Sequence, residues 1–87
     1  MPRVFIPPAI KTLTNDQAVV VTSSKSIREV IDDLERMFPG VRQRLIDGDE
    51  LRPGMAVTVN GNVTSLGLLQ RLDKDAEVHF LPAVGGG

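Results

Sequence analysis

The sequence predicts an α+β domain in which one mixed sheet of four to five strands packs on one main helix, and three observations predict it. Short apolar stretches with a period of two lie at both ends of the chain. Between them sits one segment with a 3.6-residue period, opened by a helix-start signal at Ser26 and closed by Pro39-Gly40. The pair Asn60-Gly61, the strongest two-residue hairpin signal, falls between two β-branched stretches. At 87 residues the chain reads as one domain with a single small core. Such a domain buries only about 60 to 65 % of its unfolded surface, so nearly every periodic apolar residue is expected to be core.

Taken in order, Arg3-Val4-Phe5-Ile6 is β-branched and aromatic and Pro7-Pro8 closes it, which predicts a first strand that Ala9 to Lys11 continue irregularly. Thr14-Asn15-Asp16-Gln17 has turn chemistry, and Ala18 to Thr22 follows as a second strand, paired with the first in a hairpin. From Ser26 the apolar residues Ile27, Val30, Ile31, Leu34, Met37 and Phe38 form one helical stripe. Ser26 and Glu29 make a capping box, each able to accept from a backbone donor left unpaired at the helix start. Arg28, Asp32, Asp33, Glu35 and Arg36 read as a solvated face. Val41 to Ile46 is expected to add a helical turn with Leu45 and Ile46 inward, and Asp47 to Gly54 to be a loop.

Met55 to Val59 alternates as a third strand, turned by Asn60-Gly61 into a short strand over Asn62-Val63-Thr64. Leu66, Leu68, Leu69 and Leu72 read as a single tight turn plugging the core. In the final strand Val78 and Phe80 alternate with Glu77 and His79, and Pro82 lacks the N–H that would continue the ladder. One amphipathic helix against one mixed sheet then points to a β-grasp with its first and last strands side by side and parallel. The expected division is a folded domain over residues 1–82 and a flexible tail over 83–87.

That tail, Ala83-Val84-Gly85-Gly86-Gly87, runs straight on from the last strand. Glycines without Cβ take almost any φ/ψ and can slide, extended, into a slot too narrow for side chains, as a partner enzyme acting on a terminal carboxylate requires. A glycine end is also what fraying or a cloning scar produces. The apolar Ala83 and Val84, where a solvated linker would be polar, favour the functional reading.

Composition narrows the chemistry. A net charge of -1 and only three aromatic residues, all Phe, leave neither a basic footprint nor a stacking platform for nucleic acid. The absence of Cys excludes disulfides, Cys-ligated zinc and a protein thiol as carrier or nucleophile. No apolar run approaches the ~18 residues of a membrane span, and Met1-Pro2-Arg3-Val4 does not begin a signal peptide, so the expectation is a cytoplasmic protein. The single histidine, His79, has no Ser-centred motif beside it and reads as a surface or sheet-flanking residue rather than a base. Asp47-Gly48-Asp49-Glu50 fails the calcium-loop spacing, because the twelfth position counted from Asp47 is Thr58. Adjacent Asp32 and Asp33 diverge on a helix, and Gly61 to Gly67 match no nucleotide-binding loop. No catalytic residue, metal site or bound cofactor is expected.

Together the strand order and the ending resemble the MoaD/ThiS family of ubiquitin-like sulfur carriers. The likeness covers essentially the whole chain: Val4-Phe5-Ile6, the helix ending Met37-Phe38-Pro39-Gly40, the Ala56 to Gly61 hairpin and Leu81-Pro82-Ala83-Val84-Gly85-Gly86-Gly87. The Pro82-x-Val84-x-Gly86-Gly87 ending is its specific part, with Gly85 where such carriers often have Ala.

The resemblance implies a carrier and co-substrate rather than an enzyme. A partner adenylating (E1-like) sulfurtransferase, using ATP and magnesium, would activate the Gly87 carboxylate as an acyl-adenylate while Gly85 and Gly86 thread into it. A sulfur donor would then leave a Gly87 thiocarboxylate for a second enzyme to use. Ile6-Pro7-Pro8, Phe38-Pro39-Gly40-Val41 and Leu81 to Val84 are most similar to carriers that feed a pyridoxal-phosphate cysteine synthase in cysteine biosynthesis. The molybdopterin synthase small subunit is close behind, and thiamine carriers are usually shorter. Phe5, Leu81, Pro82 and Val84 are candidates for a docking patch or, equally, for the core. The same activated Gly87 also suits a ubiquitin-like protein modifier conjugated to lysine, and a passive interaction domain is the third class.

Overall fold

The computed structural model describes residues 1–82. Its elements are β1 (Arg3–Phe5), a 3₁₀ helix (Pro8–Thr14), β2 (Val19–Val21), α1 (Ile27–Met37), α2 (Val41–Leu45), β3 (Ile46–Asp47), β4 (Glu50–Leu51), β5 (Met55–Val59), β6 (Asn62–Val63), a second 3₁₀ turn (Gly67–Leu69) and β7 (Glu77–Pro82). Five strands form one sheet in the order β2-β1-β7-β5-β6. β1 and β7 run parallel at its middle, with Val4 opposite Val78, and the remaining pairs are antiparallel. The fold is a β-grasp, with the first and last strands adjacent as the sequence predicts.

Alternation along each strand sorts the sheet into two faces. Val20, Val4, Val78 and Val59 form one inward row across four strands, with Val57 opposite Phe80 beside it. Against these pack Ile27, Val30, Ile31 and Leu34 of α1 and Val41 and Leu45 of α2, all buried. The Ser26 hydroxyl accepts from Glu29 N–H at 3.2 Å, as its capping role requires. The Glu29 carboxylate reaches one residue further back than the usual box and accepts from Lys25 N–H at 3.1 Å. Ile27 N–H donating to the Gln70 carbonyl and Leu72 N–H to that of Lys25, both at 2.9 Å, tie the start of α1 to the segment before β7.

Four expectations are corrected. Ala9 to Lys11 do not extend β1 but lie in a 3₁₀ helix, because Pro8 suits a first helical position and Ile10 N–H donates back to Pro7 at 3.1 Å. The Asp47 to Gly54 segment is not all loop: Ile46 faces Leu51 and Asp47 faces Glu50 in a two-stranded ribbon whose apolar pair leans on the core. Of the four leucines expected to plug the core, only Leu68 is fully buried. Leu66 and Leu69 face solvent and Leu72 packs at the margin, since one 3₁₀ turn has room for one inward side chain. Met37, counted in the helical stripe, is exposed at the end of α1. The expected hairpin over Asn60-Gly61 is present, both residues in the left-handed region at φ +52° and +86°.

Candidate functional site

The inward face is closed by helices; the residues that alternate with it form the candidate site. Register places Val63, Thr58, His79, Phe5 and Val19 in one row that crosses all five strands, roughly 19 Å from edge to edge at the usual strand spacing. Val21 flanks the row towards one end, and Leu81, beside Ala56, towards the other. At its centre the Phe5 and His79 rings stack, with centroids 4.1 Å apart and planes 5° from parallel. Val19, Val21, Val63 and Leu81 are all exposed, Leu81 at 43 %. These exposed apolar side chains on one sheet face make it the candidate contact surface.

A polar corner borders the patch. Arg3 Nη2 donates to Glu77 Oε2 at 2.8 Å, and the other Glu77 oxygen lies 3.8 Å from His79 Nε2. Among the described residues His79 makes no side-chain hydrogen bond to a nucleophile or an orienting group, and its ring stacks on Phe5. Among the described residues no group of three His, Asp or Glu side chains could hold a metal, and no helix is long and apolar enough to cross a membrane.

The charged face of α1 does more than meet solvent. Asp32 and Asp33 diverge as expected, Asp32 to Arg42 Nη2 at 2.5 Å and Asp33 to the Ser24 hydroxyl at 2.5 Å and to Arg36. Glu35, read from sequence as solvated, accepts from Arg42 N–H at 2.9 Å and from Gly40 N–H at 3.1 Å. It supplies the cap that Gly40, with no side chain of its own, cannot give to α2. These two backbone N–H groups, Arg42 first and then Gly40, with the Arg42 charge adding to them, lower the Glu35 pKa from its ordinary value of 4.5.

Of the residues named from sequence, Phe5, half-buried, and Leu81, exposed, lie on the same sheet face, opposite the one the helices cover. Pro82 ends β7 opposite Met55. Val84, Gly85, Gly86 and Gly87 lie outside the described residues, as does the expected 83–87 division. Sequence reasoning missed Val19, Val21, Val63 and His79 as patch members. For three of them the signal was available: Val19 and Val21 are out of phase with Val20, and His79 with Val78, and one helix can cover only one face of a sheet.

Comparison with known proteins gives this geometry a family. The ThiS family profile matches residues 4–87. The Amycolatopsis orientalis CysO in its complex with BexX is 29 % identical and superposes with a TM-score of 0.90 over 100 % of both chains. Mycobacterium tuberculosis CysO, described as an antigen, is 30 % identical with a TM-score of 0.88, covering 97 % of this chain and 100 % of its own. The small archaeal modifier protein 1 of Methanosarcina acetivorans, at 22 % identity and a TM-score of 0.79 over 99 % of this chain and 95 % of its own, shares the fold. No match is found among curated proteins.

Proposed function

The chain belongs to the ThiS family, and from that premise we propose that it is a CysO-like sulfur carrier whose reactive atom is at Gly87. The folded part presents the tail, and partner enzymes perform the chemistry. One observation carries the reading: β7, which holds His79 and Leu81 in the exposed patch, leads directly into Ala83-Val84-Gly85-Gly86-Gly87, and the family match runs through that segment. A partner seated on the patch then has the tail within its reach, with Gly85 and Gly86 narrow enough to enter an active-site channel.

The proposed chemistry proceeds in two displacements. A carboxylate oxygen of Gly87 attacks the α-phosphorus of ATP in the activating partner, and magnesium pyrophosphate leaves. Sulfide, or a donor equivalent to it, attacks the acyl carbon and AMP leaves, so that a thiocarboxylate remains. Its anionic sulfur is a better nucleophile than the carboxylate oxygen it replaces. A second partner takes the sulfur, and the likeness to the two CysO proteins favours a pyridoxal-phosphate cysteine synthase over a molybdopterin synthase large subunit. With no Cys, the chain offers no thiol of its own to attack the activated tail.

Intact mass of the protein purified from its own cells tests the proposal. The expected species ends at Gly87 and carries one sulfur-for-oxygen exchange there. A Gly-Gly remnant on lysines of other proteins would establish the modifier instead, and a chain that is never processed to end at Gly87 would refute both. In ATP–pyrophosphate exchange, Gly86→Val is expected to abolish the activity that the wild-type chain supports, by crowding the channel.

A further inference from the structure

The end of the sheet at which β7 finishes carries a second surface, distinct from the apolar face. β1 is parallel to β7, so Pro7 emerges at that end, and Met55 sits directly opposite Pro82. Pro7, Ile10, Gln43, Arg44, Arg52 and Met55 line a cleft of about 410 Å³ there. Its lining holds two guanidinium groups and no carboxylate. Both arginines are exposed, and neither forms an ion pair among the described residues. Arg3, Arg36 and Arg42 are each matched to an acid, and Arg28 and Arg71, which also form no ion pair among the described residues, lie outside this cleft. Arg52 is steadied by its position: its N–H donates to the Leu45 carbonyl at 3.0 Å and its Nη1 lies 3.4 Å from the Gln43 carbonyl.

We infer that this cleft receives a carboxylate-bearing loop of the activating partner, at the mouth of the channel that takes the tail. The inference rests on the carrier reading above. On the carrier reading the tail enters the partner's channel, and the five residues from Pro82 to the Gly87 carboxylate can span at most roughly 17 Å. With the tail drawn to that reach, a guanidinium beside Met55 stays at the channel entrance and meets what surrounds it rather than the adenylate phosphate. Forked guanidinium donors beside an apolar Met55–Pro7 floor suit Asp or Glu side chains, which they bind in pairs of parallel hydrogen bonds. Two such contacts at the exit of the strand would set the angle at which the tail enters and would steer the encounter through charge.

The test is ATP–pyrophosphate exchange with an adenylating enzyme from the same organism, titrating the carrier at several NaCl concentrations. Arg44→Glu with Arg52→Glu is expected to raise KM for the carrier about tenfold, to leave kcat unchanged and to flatten the salt dependence seen with wild type. Arg71→Glu with Lys74→Glu, the same change of charge in the segment before β7, is expected to leave KM within twofold. Circular dichroism establishes that both variants are folded, and Arg52→Gln provides a milder second variant. Equal KM values and equal salt slopes for wild type and both reversals would overturn the inference while leaving the carrier reading standing. Absence of any carrier-dependent exchange with wild type would overturn the carrier reading itself, and this inference with it.

Discussion

Phe80 and Leu81 are neighbours in β7 with opposite environments, and the assignment of the two sheet faces stands or falls on them. Phe80 is 1 % exposed and lies opposite Val57 beneath the helices, whereas Leu81 is 43 % exposed beside Ala56 on the open face. Truncating Phe80 to alanine removes a fully buried ring and leaves a cavity, a loss of about 4 kcal/mol. For a domain of this size, at about 5 °C per kcal/mol, that predicts a fall in Tm of about 20 °C. Leu81→Ala removes contacts on one side only and is expected to lower Tm by less than about 5 °C. Function should show the reverse order. Leu81→Asp places a charge in the proposed docking face, so KM for the proposed activating partner is expected to rise about tenfold while the fold persists. Thermal unfolding followed by circular dichroism, paired with the exchange assay on the same preparations, reads both effects. If Leu81→Ala lost as much stability as Phe80→Ala, or if Leu81→Asp left KM within a factor of two, the outward face would have been misread.

Acid should loosen the join between α1 and α2. The Glu35 pKa is lowered on folding, so its contribution to stability is fully present above the ordinary value of 4.5 and is lost as pH falls through the lower folded value. Glu35→Gln is therefore expected to flatten the stability profile below pH 4.5, and an acid limb as steep as that of wild type in chemical denaturation would contradict the capping role. At the β5–β6 turn, Gly61 has φ +86° with no other heavy atom within 4 Å of a Cβ placed there, so any penalty is one of backbone conformation alone. Gly61→Val is expected to cost about 1 to 2 kcal/mol and Gly61→Asn much less, and equal Tm values for the two would remove the left-handed turn from the account.

Local signals with a single physical meaning were legible before any coordinates. Ser26 capped α1 as its spacing required, Asn60-Gly61 turned a hairpin, and the alternation of Val78 and Phe80 with His79 identified the inward face of β7. What escaped depended on partners distant in sequence. Glu35 looked like any solvent-facing glutamate until the chain turned at Gly40 and brought two backbone donors onto it. Leu66 and Leu69 carried the composition of a core segment, and only the tightness of the turn decided that Leu68 alone would enter. The patch is the clearest case. Phe5 and Leu81 were open to either reading, and it took the register of five strands to line Val63, Thr58, His79, Phe5 and Val19 into one row.

The parallel pairing of β1 with β7 has a bearing on synthesis. The two strands at the middle of the sheet are separated by most of the described sequence, so the sheet has no centre until β7 is made, and closing it is a long-range event. A chain cut short before β7 lacks Val78 and Phe80 and leaves Val4 and Val57 without their cover. It also lacks His79 and Leu81, so the proposed contact face is lost along with the core. A chain truncated before β7 is therefore expected to lose its fold and its recognition by the proposed partner together.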